Sequence, residues 1–110
     1  MGKVLVSSGE ISGDRLLLHS VDHLVNQGHH CVGLGGQTLM DVGLRCVLDR
    51  NKLSVTGLTE ALPALVPTLK AYRTLSSEVS RCNGLLLSDY PEVNLRLARR
   101  AGSLGVPTMY

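Results

Sequence analysis

At 110 residues the chain is long enough for one domain with its own core and too short for two. A formal charge of +2, three tyrosines and no Trp or Phe exclude the basic face and stacking platform of a nucleic-acid binder. The three cysteines, Cys31, Cys46 and Cys82, are odd in number and widely spaced, with neither a C-x-x-C pair nor a signal peptide ahead of them. That pattern predicts reduced thiols in a cytosolic protein. No apolar run approaches the ~20 residues needed to cross a bilayer. Without large aromatics, the 44% of apolar residues must build a core of Leu, Val and Ala, which favours helices layered on a sheet.

Lys3 to Ser7 reads as a short apolar strand, and the glycines and small polar residues of Ser8 to Asp14 as a tight loop. Leu17, Val21, Leu24 and Val25 then fall at helical spacing, with Asp14 as the expected N-cap and Gly28 as the terminator. Cys31 to Leu34 predicts a second strand, Thr38 to Val42 a short helix closed by Gly43, and Arg45 to Leu48 a third strand. A helical face runs from Leu58 to Val79, which Pro63 and Pro67 should divide into two pieces. Gly84 to Ser88 is uniformly apolar rather than alternating, the pattern of a central parallel strand covered on both faces. Pro91 opens a helix with Val93, Leu97, Ala101 and Leu104 inward and Arg96, Arg99 and Arg100 in water. Val106 to Tyr110 is the last strand. The whole is an α/β class chain: a Rossmann-like parallel sheet of about five strands with helices on both faces. Because the chain stops inside its fifth strand, truncation of a longer protein is expected.

In an open parallel sheet, ligands bind beyond the carboxyl ends of the strands. Three places meet that rule. At Gly9 to Asp14, glycine lets backbone approach a ligand and helix N–H groups favour an anionic or hydroxyl-rich group; the same residues equally make an ordinary strand-to-helix turn. At Ser88-Asp89-Tyr90-Pro91-Glu92, two carboxylates follow the most buried strand, and a carboxylate at the rim of a closed cleft suits a general base. Against that, Asp89 or Tyr90 can simply cap the helix opened by Pro91. From Leu53 to Leu69 the apolar residues exceed what one helix face can bury, which marks a membrane or partner contact if the stripe is not core. Gly33-Leu34-Gly35-Gly36 is not a dinucleotide fingerprint, no P-loop motif occurs, and His29 and His30 have no companion at metal-ligand spacing.

Four segments stand in order along nearly the whole chain: Gly9-Glu10-Ile11-Ser12-Gly13-Asp14, Val32-Gly33-Leu34-Gly35-Gly36, Leu53-Ser54-Val55-Thr56-Gly57-Leu58-Thr59-Glu60-Ala61-Leu62, and Asp89-Tyr90-Pro91-Glu92-Val93-Asn94. Together they resemble the successive motifs of the lipid-A-disaccharide synthase family. The first is similar to that family's G-E-x-S-G-D, the third to its L-x-V-x-G-x-x-E-x-L and the fourth to its D-A-P-D-F-N.

The resemblance implies half of a two-domain glycosyltransferase fold, residues 1–110 being the acceptor-side domain and the C-terminal UDP-binding domain being absent. It implies transfer of diacylglucosamine from a UDP-sugar donor to an acylated glucosamine phosphate acceptor, with inversion to a β-1,6 linkage. No cofactor and no metal are called for. It implies Asp89 as general base, Glu10 as a second active-site carboxylate, and Ser12, Gly13, Asp14, Glu60 and Asn94 in substrate binding. The stripe Val55, Leu58, Leu62, Leu65, Val66 and Leu69 would then contact lipid, making the protein cytoplasmic and peripheral on the inner face of the membrane. Tyr90, Glu92 and Val93 depart from the family's Ala, Asp and Phe, adding bulk and a longer carboxylate beside the base. A chain with half a cleft should not turn over alone. The competing expectation is a remnant that keeps the fold, has lost catalysis and serves as a binding or interaction module.

Overall fold

The computed structural model describes residues 2–49 and 65–110. Within them the chain alternates strand and helix: β1 (Lys3–Ser8), α1 (Ile11–Asn26), β2 (His30–Gly35), α2 (Gln37–Asp41), β3 (Arg45–Asp49), α3 (Leu65–Val79), β4 (Gly84–Ser88), α4 (Pro91–Leu104) and β5 (Thr108–Met109). All strand pairs are parallel, in the order β3-β2-β1-β4-β5. Parallel neighbours cannot be joined by a hairpin, so each connection must cross the sheet, and the helices are those crossings.

Side-chain alternation along the central strands divides the core in two. Leu5, Leu85 and Leu87 face α3 and α4, where they meet Ala71, Leu75, Val79, Val93, Leu97 and Ala101. Val6 and Leu86 point the other way, towards Leu17, Val21 and Leu39 of α1 and α2. Leu5 and Val6, neighbours in sequence, are both fully buried, which is why β1 and β4 read as unbroken apolar runs. Gly33 lies within β2, and a Cβ there would run into the carbonyl oxygen of Val6. Its glycine serves close strand approach.

Two boundaries differ from the sequence expectation by more than one residue. Helix α1 begins at Ile11, well ahead of Leu17, and β5 is only two residues long. Leu104, expected inward, is 46% exposed because it is the last residue of α4, beyond the sheet-facing turns. The first part of the Leu58–Val79 region, Pro63 included, lies outside the described residues. Pro67 is the third residue of α3, where a missing N–H removes no intrahelical bond.

Candidate active site

The strand order reverses between β1 and β4, and the crevice beyond their carboxyl ends is where such sheets collect ligands. Ser8 and Ser88 are register partners at that end, so the loops that follow them leave side by side. The glycine-bearing turn and the Asp89 turn therefore share one rim.

On the β1 side, Glu10 occupies the N-cap of α1 in extended conformation (φ −143°, ψ 162°) without a side-chain capping bond. Its carbonyl accepts from the Ser8 hydroxyl and from the Asp14 N–H, both at 3.1 Å, so the helix closes one turn earlier than the spacing of apolar residues indicates. Asp14 is thus the fourth helical residue and not the expected cap. It is 1% exposed, and its Oδ2 accepts the Gly36 N–H at 3.1 Å. This ties α1 to Gly36, immediately past the end of β2, bringing the first two sequence motifs together.

On the β4 side, Asp89 and Tyr90 are consecutive non-glycine residues in left-handed conformation, with φ of 56° and 50°. Aspartate tolerates this region, tyrosine poorly, and such residues cost about 1–3 kcal/mol each and persist only where their surroundings hold them. Several groups do so here. The Asn94 amide donates to the carbonyls of Ser7 (3.1 Å), Ser88 (3.2 Å) and Asp89 (2.6 Å). The Gly9 N–H donates to the Ser88 carbonyl at 3.3 Å, and the Tyr110 hydroxyl to the Asp89 carbonyl at 3.0 Å. Tyr90 serves as N-cap of α4 through its backbone alone, with Pro91 at the first position.

The outcome is a carboxylate laid over the first turn of α1. A Cβ on Gly13 would stand 2.7 Å from Ser8 Oγ, 2.8 Å from Asp89 Oδ2 and 2.9 Å from Ser88 Oγ, so glycine is required for space at this point. The Ser12 hydroxyl donates to Asp89 Oδ2 at 3.4 Å. Similarly, Gly9 leaves room for the Tyr90 side chain, whose Cβ would overlap any Cβ placed there. Glycine spacing in the first motif matches the contour of the fourth.

Of the residues singled out by sequence, Ser12, Gly13 and Asp89 come together directly, and Glu10 is exposed on the same turn. Asn94 is fully buried, with its nitrogen committed to backbone carbonyls. Glu60, Val55, Leu58 and Leu62 lie outside the described residues, and Leu65 and Val66 are the first two residues of α3. Leu69 is 39% exposed and shares a shallow hollow with Lys70 and Arg73. Among the described residues no helix is long and apolar enough to cross a membrane.

Sequence reading missed Tyr110. Burial first, then the charges of Asp89 and Glu92, push its phenol above the usual tyrosine range. No local pattern marks it, because its approach to Asp89 depends on β5 pairing beside β4.

An all-parallel sheet with helices on both faces and a carboxylate at its switch point defines a Rossmann-like α/β domain. The chain belongs to the lipid-A-disaccharide synthetase family, which it matches over residues 4–110. It is 35% identical to the lipid-A-disaccharide synthase of Anaeromyxobacter sp. (strain K), over 98% of this chain and 29% of that protein. Lipid-A-disaccharide synthase 1 of Legionella pneumophila (strain Philadelphia 1) gives the same identity and coverage. The Sulfurihydrogenibium sp. (strain YO3AOP1) enzyme is 31% identical over all of this chain and 28% of its own length. The chain thus spans a little under a third of the relatives it matches.

Proposed function

We propose that this chain forms the acceptor-side part of a lipid-A-disaccharide synthase, an inverting glycosyltransferase that moves 2,3-diacylglucosamine from its UDP conjugate to 2,3-diacylglucosamine 1-phosphate. Asp89 is the general base: it takes the proton of the acceptor 6-hydroxyl as that oxygen attacks the anomeric carbon, while UDP leaves from the opposite face. Glu10, on the facing turn, holds the acceptor sugar, and Ser12 and Gly13 shape the floor beneath it. UDP is held by a second domain, which closes over this rim and supplies the other half of the cleft. The supporting observation is the convergence of Asp89 with Ser12 and Gly13 at the switch point, from motifs 77 and 76 positions apart in sequence.

Acylated substrates reside in a membrane leaflet, and the stripe Val55, Leu58, Leu62, Leu65, Val66 and Leu69 serves to reach it from the cytoplasmic face. Exposed Leu69 beside Lys70 and Arg73 has the composition of a surface that meets anionic lipid: apolar contact with cations at its margin.

The test is Asp89→Asn in a full-length enzyme carrying this chain as its amino-terminal part, assayed with both acylated sugars. Turnover should fall by about 10²–10⁴-fold, the usual contribution of a general base, with acceptor binding nearly unchanged. Equal turnover would remove Asp89 from that role, and no turnover in the parent would favour the non-catalytic remnant.

A further inference from the structure

Asn94 lies five residues beyond Asp89, on the inner side of α4, with no surface exposed to a ligand. Its amide nitrogen carries two hydrogens and faces three carbonyl oxygens: one from β1, one from the last residue of β4, and one from Asp89 itself. The shortest of these bonds, 2.6 Å, goes to Asp89, at the point where the backbone enters its left-handed pair. Asn94 Oδ1 is buried with no hydrogen-bond partner, so nothing on the acceptor side of the amide explains an asparagine here. Only the donor side does. Aspartate would set a carboxylate against three carbonyl oxygens, and leucine would fill the same space without any donor.

We propose that Asn94 is the positioning residue of this site: by gathering the carbonyls of Ser7, Ser88 and Asp89 it holds Asp89 and Tyr90 left-handed and so aims the Asp89 carboxylate at Ser12 and Gly13. It touches no substrate and acts through Asp89. The Tyr110 hydroxyl completes the clamp by donating to the same Asp89 carbonyl from β5. Without the clamp, the pair relaxes to the ordinary right-handed or extended regions, and the carboxylate swings off the first turn of α1. The catalytic consequence rests on the reading of Asp89 as base; the conformational one does not.

Two measurements separate these. In solution NMR of this chain, strong intraresidue Hα–HN cross-peaks report positive φ at Asp89 and Tyr90. Asn94→Leu should abolish both while the remaining sheet amides keep their dispersion, and Asn94→Ala gives the same reading should the leucine variant not fold. Val93→Ala, on the same buried turn, should lower the melting temperature and leave both cross-peaks intact. A folded Asn94→Leu or Asn94→Ala chain that retains positive φ at both residues overturns the proposal, as does their loss in Val93→Ala. In the full-length enzyme, Asn94→Leu should lower kcat by about 10²-fold with KM little changed, the scale of a reacting group displaced by about 1 Å. It should lower kcat little further when Asp89 is already Asn. An additive loss in that double variant would show that Asn94 acts other than through Asp89. An inactive parent would defeat the transferase reading and leave the NMR result standing.

Discussion

At the amino ends of the strands the chain turns on glycine, with Gly28, Gly43 and Gly105 at φ of 89°, 116° and 73°, whereas beyond the carboxyl end of β4 the left-handed positions are Asp89 and Tyr90. The polar groups differ in the same way. The amino end carries the Lys3–Glu78–Arg81 ion pairs, at 3.3 and 3.5 Å, beside an open hollow of about 560 Å³. The carboxyl end buries Ser7, Ser8, Asp14, Ser88 and Asn94. Glycine is the inexpensive solution for a left-handed turn, and its use at one end shows that this fold has access to it. At the other end Asp89 and Tyr90 take the same left-handed backbone without glycine, a feature common where chemistry is placed.

The largest effect on this contrast should come from Asp14→Ala. Removing the carboxyl of buried Asp14 leaves the half-buried Gly36 N–H without its 3.1 Å acceptor, which should cost about 2 kcal/mol and loosen α1 from the loop after β2. Urea denaturation with an unchanged slope and a lower midpoint is the expected reading. An Asp14→Ala chain as stable as the parent would mean that the Asp14–Gly36 bond contributes nothing to folding.

Glycine and non-glycine turns can be exchanged. A Cβ on Gly105 meets nothing within 4 Å, so Gly105→Ala measures left-handed backbone strain alone and should destabilise by about 1–2 kcal/mol. Asp89→Gly should do the reverse, stabilising by about 1 kcal/mol while removing the carboxylate on which the proposed transfer depends. If both variants are destabilised alike, the Asp89 turn is not strained and the contrast between the two ends fails.

The smallest effect is one of pH. Burial pushes the thiols of Cys31 and Cys82 above the usual range; for Cys82 the nearby Lys3 opposes this and Glu78 reinforces it. A thiol whose pKa is raised on folding stabilises the folded chain fully below the unfolded thiol value of about 8.5. As pH rises through that value the unfolded chain loses its proton first, so the melting temperature should fall from about pH 8.5 upward. In Cys31→Ala the fall should be shallower, provided the scan is compared at matched ionic strength. A steeper fall would place the alkaline sensitivity elsewhere.

Local pattern carried much of the architecture. Strand β4 was legible because a strand covered on both faces needs apolar residues at every position, and α4 because Pro91 and the Val93, Leu97, Ala101 spacing mark its start and inner face. The site was legible only in part. Asp89 stood out as an acidic residue following that strand, but its left-handed backbone is set by an amide five residues on, which also binds the Ser7 carbonyl of β1, 82 residues back. Asp14 resembled a cap because Asp before an apolar run commonly is one. Its real partner, Gly36, follows a different strand and can be found only once β1 and β2 are paired.

From its order of residues alone this protein has its elements, its two-faced apolar strands and its four family motifs, because helix and strand periodicities and turn chemistry act over a few neighbouring positions. Tertiary structure alone decided that β1 and β4 lie side by side, that Gly13 makes room for Asp89, and that Tyr110 reaches the same carbonyl as Asn94. Those contacts join positions far apart in the chain, and their geometry exists only after burial of Leu5, Val6, Leu85, Leu86 and Leu87 has set the register of the sheet.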